Sequence, residues 1–180
     1  IESIGELLYA CNENRLTLYK GFGEKTQKSI QESIEYFLDN IGSYLYAQIE
    51  PFAVKLDETL KRQFGKNQFL LTGYFRRHIE TIDKIEWVTD AGEAALQEYL
   101  LQHKFVTEKL DAKLSVYKGE EENIELHFNH AATHQLQRIL FNTSCSEEFL
   151  EAFNKKFSLD DSVQYDSEEE IFAAANMQFI

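Results

Sequence analysis

The sequence predicts an α+β fold, in which a helical segment is followed by a β-rich segment with a covering helix and then by a second helical segment. Apolar residues recur at helical spacing from Ile1 to about Asn40, a strand-like period dominates from about Phe69 to Asn129, and helical spacing resumes at Thr133. With 43% hydrophobic residues in 180, the chain can bury a core.

The first helical segment is predicted to hold two helices joined by a glycine-rich turn. The stretch LYKGFGEKTQKSI between them has Gly21 and Gly23 on either side of Phe22. Both glycines can adopt positive φ, which would point the amides near Gly21, Gly23 and Lys25 outward as an anion-binding nest. The alternative is an ordinary interhelical turn whose glycines serve packing.

The middle segment begins with a predicted helix over about Tyr44 to Phe64, in which Pro51 indicates an interruption or a first-turn position. Five stretches then have strand character: QFLLTG, KIEWVT, KFVTEKL, AKLSVYKG and NIELHFN. AGEAALQEYLLQH, which follows the second of them, predicts a helix that covers the sheet. In the last segment, Ser167 and Glu170 have the spacing of a capping box.

Charge and cysteine content limit the functions to consider. The formal net charge of −13 at pH 7 means that any contact with nucleic acid must be local. Cys11 and Cys145 fit neither a disulfide framework nor a zinc site, so a reducing cytoplasm is the expected location. No apolar run approaches the roughly 20 residues of a membrane span, and we expect no membrane partner. Because the chain starts at Ile1 rather than Met, we expect it to be a piece of a longer polypeptide.

Several stretches carry a family resemblance. RLTLYKGFGEKTQKSIQESI resembles the second helix-hairpin-helix of the family X DNA polymerases, especially the bacterial ones, and GYFRRHIETIDKIEWV resembles their palm motif, G-S-[YF]-R-R-G-x-E-T-x-G-D-[IM]-D-[IV]. NIELHF falls where the third palm aspartate belongs, LFNTS where the Y-F-T-G-S turn belongs, and DSEEEIFAAANMQFI is similar to the last thumb helix.

The resemblance covers nearly the whole chain and implies three domains. These are helical fingers with a helix-hairpin-helix over residues 1–42, a nucleotidyltransferase-type palm with a mixed β-sheet over residues 43–132, and a small thumb over residues 133–180. It also implies DNA, gapped or nicked, as the partner. Bacterial members carry a phosphoesterase domain downstream, which we expect in the full-length chain.

The metal-binding positions of the family are substituted. In the family, two aspartates on one palm strand and a third on a neighbouring strand hold two metal ions; the matching positions here are Lys84, Glu86 and Glu125. Lysine places a permanent cation where a divalent ion is needed, and the longer glutamates displace the carboxylates. Asp83 lies three residues from Glu86 and so faces the other side of a strand unless a bulge intervenes. We therefore expect no metal, loss of polymerase activity, and the Lys84 ammonium between Glu86 and Glu125.

The nucleotide-binding positions also depart from the family. Gly73 is retained and Arg77 aligns with the triphosphate-binding arginine, but Tyr74 replaces the serine of the motif. Residues 140–143 read LFNT instead of Y-F-T-G, so the unusual backbone of that turn becomes costly, and Glu148 replaces an asparagine that probes the minor groove.

The hairpin is better preserved. The resemblance assigns to a DNA phosphate the positions Gly21, Phe22, Gly23, Lys25 and Thr26. The leading interpretation is therefore a catalytically degenerate DNA-binding module of a larger protein. The alternative is an active template-directed nucleotidyltransferase with altered metal ligands, which would need Mg²⁺. A structural partner domain that binds no DNA is a third possibility, favoured by the charge.

Two further groups of polar residues have both an ordinary and a functional interpretation. The spacing of His127, His130 and His134 allows a metal site, but a polar sheet residue and two surface residues are the simpler expectation. Arg76 and Glu80 are expected to form a structural, solvated pair near a turn.

Overall fold

The computed structural model of the chain describes residues 1, 3–39, 42–119, 123–157, 159 and 163–179. It divides into two compact units, Ile1–Ile41 and Gly42–Ile180. The α-helices are α1 (Ile4–Asn12), α2 (Glu24–Asp39), α3 (Tyr46–Gln63), α4 (Gly73–Arg76), α5 (Glu93–Gln102), α6 (Leu136–Ser144), α7 (Glu147–Lys156) and α8 (Glu168–Ala174). The strands are β1 (Tyr44–Leu45), β2 (Phe69–Thr72), β3 (Thr81–Ile82), β4 (Lys84–Thr89), β5 (Phe105–Leu110), β6 (Leu114–Gly119) and β7 (Glu125–His130).

The first unit is a pair of helices around a small core. Helices α1 and α2 contact each other, and the buried residues between them include Ala10, Cys11 and Leu16. The Gln27 side chain of α2 donates a hydrogen bond to the Asn14 side chain, which ties the helix to the connection. The connection contains a short 3₁₀ turn before the two glycines. Each helix packs an apolar face against this core, and the glycine turn between the helices is exposed.

The second unit is built on a mixed five-stranded sheet with the order β2-β4-β7-β6-β5. Strands β4 and β7 are parallel, and the other neighbours are antiparallel. All five strands and the helix after the second of them were expected from the sequence, so the α+β prediction with a mixed sheet is confirmed. Among the described residues, no helix is long and apolar enough to cross a bilayer.

The core of this unit lies under one face of the sheet, which α3 and α5 cover. Trp87 and Phe128, from neighbouring strands, stack with ring centroids 5.1 Å apart and are fully buried. Burying such a ring contributes about 1.5–3 kcal/mol. The Trp87 indole donates a hydrogen bond to Asp57 of α3 at 3.0 Å, and Asp57 also accepts from Lys61 at 2.7 Å, so the buried carboxylate is satisfied.

Two local features differ from the sequence-based expectation. Pro51 is the sixth residue of α3, and the helix continues through it, because the lost N–H costs a single backbone hydrogen bond near the helix start. Strands β1 and β3 form an antiparallel pair, Tyr44 with Ile82 and Leu45 with Thr81. Two-residue strands are too short for a period-two pattern, so the sequence carries no signal for them.

The last helices enclose a second, aromatic core. Phe141 of α6 contacts the rings of Phe153 and Phe172 edge-on, at centroid distances of 5.0 and 5.6 Å. The Ser167 hydroxyl caps α8 by accepting from the Glu170 amide, as the capping-box spacing predicted. The Glu170 carboxylate accepts from the amide of Asp166 rather than from that of Ser167, so the reciprocal bond is shifted by one residue.

Candidate functional site

The sheet register brings together, on the face opposite the core, the three residues at which the resemblance implies metal ligands. On β4, Lys84 and Glu86 are partly exposed, while Ile85 and Trp87 are buried on the other face. In the parallel ladder, Lys84 is the partner of Glu125, and Glu86 is the partner of the next exposed residue on β7. Side chains two apart on a strand share a face, so this geometry follows from alternation.

The charges of this face are paired within the protein. The Lys84 ammonium lies 3.3 Å from Glu86 Oε1. Glu125 Oε2 instead contacts His127 Nε2 at 2.8 Å, although Lys84 on one side and Lys118 on the other are its partners in register. We expected the Lys84 ammonium to lie between Glu86 and Glu125, but among the described contacts it forms an ion pair with Glu86 alone.

Glu86 also closes the surface above Gly73. The φ of Gly73 is +66°, a conformation that residues with a side chain rarely adopt. A Cβ built on Gly73 would lie 1.9 Å from Glu86 Oε2 and 2.7 Å from Glu86 Cδ. The glutamate carboxylate is therefore packed directly against the glycine, where the family resemblance implies a phosphate. Glycine is required here both for its backbone conformation and for the approach of Glu86.

A cavity of about 400 Å³ adjoins this pair, and its lining includes Tyr74 and Arg77. The Arg77 guanidinium lies over the Tyr74 ring at 4.9 Å from the centroid, and the Lys84 ammonium lies at 5.9 Å from it. Within the described ranges, the buried Arg77 Nε has no hydrogen-bond partner. The lining also includes Glu147 and Glu148. The cavity thus combines two cations with three carboxylates, counting Glu86.

The segment that aligns with the Y-F-T-G turn in the resemblance is helical. Residues 140–143 lie inside α6, and the Thr143 hydroxyl donates to the Ile139 carbonyl at 2.8 Å. The same hydroxyl lies 2.6 Å from that of Thr72 at the end of β2, which is also 2.9 Å from Ser144 Oγ. The loss of the glycine is thereby accommodated by a continuous helix rather than by a strained turn.

Arg76 has a different partner from the expected one. Its guanidinium forms a bidentate ion pair with Glu168 at the start of α8, with Nη1 2.9 Å from Oε1, and Nη1 also donates to Ser144 at 2.6 Å. The expected pair with Glu80 is therefore wrong. The sequence separation of 92 residues explains why local spacing could not reveal the contact. Burial raises the pKa of the nearby Cys145 thiol to about 11, and Glu168 acts in the same direction.

The positions that the resemblance assigns to a DNA phosphate lie in the first unit. Gly21 and Phe22 are in the connection, Lys25 and Thr26 are in the first turn of α2, and all four are exposed, as is Gly23. The φ of Gly21 is +99°, as a nest requires, whereas Gly23 is not among the glycines with positive φ. Only one of the two expected left-handed glycines is therefore present.

The three histidines have separate surroundings. His127 contacts Glu125, His130 Nε2 lies 2.8 Å from Ser115 Oγ, and His134 is exposed in a 3₁₀ turn. No group of three or more acidic, histidine or cysteine side chains with metal-site geometry occurs among the described residues. Where the resemblance implies a metal, the Lys84 ammonium beside Glu86 does not fit a divalent ion, because a fixed cation repels the ion and lysine supplies no carboxylate ligand.

Comparison with known proteins supports the fold. No family model matches the sequence, and no curated protein sequence matches it. The structure is similar to a crystal structure of Leishmania infantum polymerase beta in a ternary gap complex, with a TM-score of 0.62 over 100% of this chain and 79% of that chain. The two sequences are 12% identical over the match, so the likeness shows a shared polymerase beta-like fold.

Proposed function

We propose that this chain is a polymerase X-like domain of a larger cytoplasmic protein, that its nucleotidyl-transfer centre is inactive, and that it binds gapped or nicked DNA. The observation that carries the proposal is the Lys84–Glu86 ion pair at 3.3 Å. Two-metal catalysis needs carboxylates that converge on two divalent ions with no competing cation. Here the competing cation is part of the polypeptide.

A second contact supports the loss of nucleotide binding. The Glu86 carboxylate is packed against Gly73, so a negative charge occupies the surface at which a triphosphate would approach. Coulomb repulsion between a carboxylate and a phosphate at contact distance is large in a partly buried site. The longer side chain of glutamate, compared with aspartate, is what allows this contact.

The proposed DNA-binding surface is the exposed turn at Gly21 together with Lys25. At physiological ionic strength the Debye length is about 8 Å, so the net charge of −13 acts weakly on a phosphate bound locally by amides and a lysine. The similarity in fold to a polymerase beta in a ternary gap complex supports gapped DNA as the ligand. The module would then position DNA for a phosphoesterase domain elsewhere in the full-length protein.

Primer extension on a gapped duplex, with Mg²⁺ or Mn²⁺, tests the inactive centre. We expect no extended product from the wild-type chain, because no divalent ion is held at the primer end. Extension by the wild type that Glu86→Ala abolishes would show instead that this is an active nucleotidyltransferase with altered metal ligands.

Replacing Lys84 by aspartate tests the ion pair directly. Lys84→Asp removes the cation and adds a carboxylate beside Glu86 and opposite Glu125, so Mn²⁺ should bind this variant but not the wild type. Lys84→Ala is the matched control, because it removes the cation without adding a ligand. Manganese bound by the wild-type chain, detected by electron paramagnetic resonance, would contradict the proposal.

Fluorescence anisotropy with a labelled gapped duplex tests DNA binding. Lys25→Ala should weaken binding and lower the slope of log K against log salt by about 0.9, the value for one phosphate contact. Lys66→Ala, at an exposed lysine between α3 and β2, removes the same charge elsewhere and should have little effect. Equal effects of the two variants, or no binding at all, would favour a structural partner domain.

A further inference from the structure

A second cavity, of about 720 Å³, lies between the ends of β7, the β5–β6 turn and α6. We propose that it binds a small organic phosphate of nucleotide size, with Lys113 as the residue that pairs with the phosphate. Asn142 and Thr143 of α6 also line the cavity beside the Lys84–Glu86 pair, but Lys113 and Asn129 line only this one. The proposal does not rest on the function proposed above.

The charge of the cavity lining points to an anion. Among the described residues that line it, none is aspartate or glutamate, and the basic ones are Lys113, His130 and Arg138. In the described part of the chain, Lys113 has no ion pair. The nearby Asp111 does not compensate it, because its carboxylate is 2.9 Å from the Lys109 ammonium. An anion would therefore meet an uncompensated positive charge.

Other polar groups of the lining are available for a ligand. Asn129 donates its amide N–H to the Trp87 carbonyl at 3.2 Å, which leaves its side-chain oxygen as an acceptor. Within the described residues, the Asn142 side chain has no hydrogen bond, and the ring of His130 uses only Nε2, toward Ser115. The site thus offers donors and acceptors that suit a sugar or a base.

Arg138 and the small residues shape the cavity. Arg138 donates to the Leu159 carbonyl at 3.3 Å, which holds its guanidinium in the wall, and the proposal assigns the phosphate to Lys113 instead. The remaining lining includes Ala112, Ala131 and Ala132, whose short side chains leave room for an apolar ring. A volume of 720 Å³ falls within the range of about 300–1,000 Å³ that is typical of small-molecule pockets.

Isothermal titration calorimetry with adenosine 5′-monophosphate tests the proposal. The wild-type chain should bind the nucleotide, and Lys113→Ala should weaken binding about tenfold, as expected for one charge-assisted hydrogen bond. Lys66→Ala is the matched control, with the same charge change at an exposed site outside the cavity. Ala132→Trp, which fills the cavity from an exposed position, should also weaken binding.

The side-chain amide of Asn129, which lines this cavity and is not in the lining of the one beside Glu86, reports the location. Its ¹⁵N–¹H resonances should shift on addition of adenosine 5′-monophosphate, and the shift should be reduced in Lys113→Ala. No binding by the wild type, equal losses in Lys113→Ala and Lys66→Ala, or an unperturbed Asn129 amide would overturn the proposal. Inorganic phosphate should bind more weakly than the nucleotide; equal affinity would mean that no organic part is recognised.

The gapped duplex separates a small ligand from a DNA phosphate. If Lys113→Ala weakens binding of adenosine 5′-monophosphate and leaves the affinity for the duplex unchanged, the small-molecule site is supported. If the variant affects only the duplex, the lysine belongs to a DNA contact and the proposal is wrong. The effect of Lys25→Ala on duplex binding is measured separately, so a negative result for Lys113→Ala does not decide the DNA-binding proposal.

Discussion

Gly73→Ala is expected to destabilise the protein through two separable effects. The first is the backbone, because alanine at a φ of +66° is strained by about 1–2 kcal/mol. The second is the contact with Glu86, whose Oε2 lies 1.9 Å from the position of the new Cβ. The carboxylate is the end of a flexible side chain and can rotate away, but it then leaves Lys84.

The second effect is small because the Lys84–Glu86 pair is not fully buried. The side chains are 32% and 13% exposed, and partly exposed ion pairs contribute about 0.2–1 kcal/mol. The total expected loss in the free energy of unfolding is therefore about 1–3 kcal/mol. In a Glu86→Ala background only the backbone term is left, so the cost of Gly73→Ala should fall to about 1–2 kcal/mol.

Urea unfolding of the wild type, both single variants and the double variant measures these terms as a double-mutant cycle. A loss below about 0.5 kcal/mol for Gly73→Ala would refute the left-handed backbone at this position. The same cost in both backgrounds would refute the packing of Glu86 against the glycine. Gly92→Ala is a suitable control, because a Cβ there meets nothing within 4 Å and the glycine does not have positive φ.

Three further outcomes are expected. Burial raises the pKa of the Cys145 thiol to about 11, so it should react with iodoacetamide at pH 8 about 200-fold more slowly than a free thiol. Glu168→Gln should speed the reaction, and a rate like that of free cysteine would contradict the burial of the thiol. The pKa of Asp111 should be about 2 by NMR, because a hydrogen bond from Lys109 stabilises the carboxylate, and Lys109→Ala should raise that pKa. The contribution of the Asp111 carboxylate to stability is present above about pH 4 and is lost as the pH falls to about 2. Arg76→Ala should lower the free energy of unfolding by about 1–2 kcal/mol in urea titrations, with Arg76→Lys recovering part of it; an unchanged midpoint would mean that the pair with Glu168 contributes nothing.

The sheet could be predicted from the sequence because its strands have clear boundaries and character. KIEWVT places Ile85 and Trp87 on one face and Lys84 and Glu86 on the other, and the structure has that alternation. The exposed face could therefore be predicted before any contact was known. A period of two reports which residues share a face but not which strands are neighbours.

Contacts that depend on neighbouring strands and distant helices could not be predicted. The approach of Glu86 to Gly73 depends on the β2–β4 register, in which Thr72 is the partner of Glu86. The ion pair between Arg76 and Glu168 joins segments that meet only after the last helix has packed. Sequence spacing is informative within one helix or strand, and both contacts lie between elements.

Lys84 and Glu86 depend on each other for charge compensation. With glutamate at position 86 but aspartate in place of Lys84, neighbouring carboxylates would repel one another unless a cation bound. With Lys84 but no acid at position 86, the ammonium would lose its only ion pair in the described part of the chain. The register places Lys84 and Lys118 on either side of Glu125, but the described contact of that carboxylate is with His127, so the lysine ion pair is confined to β4. Replacing Lys84 alone by aspartate would therefore place like charges side by side on β4, and this repulsion would destabilise the folded chain unless a cation bound.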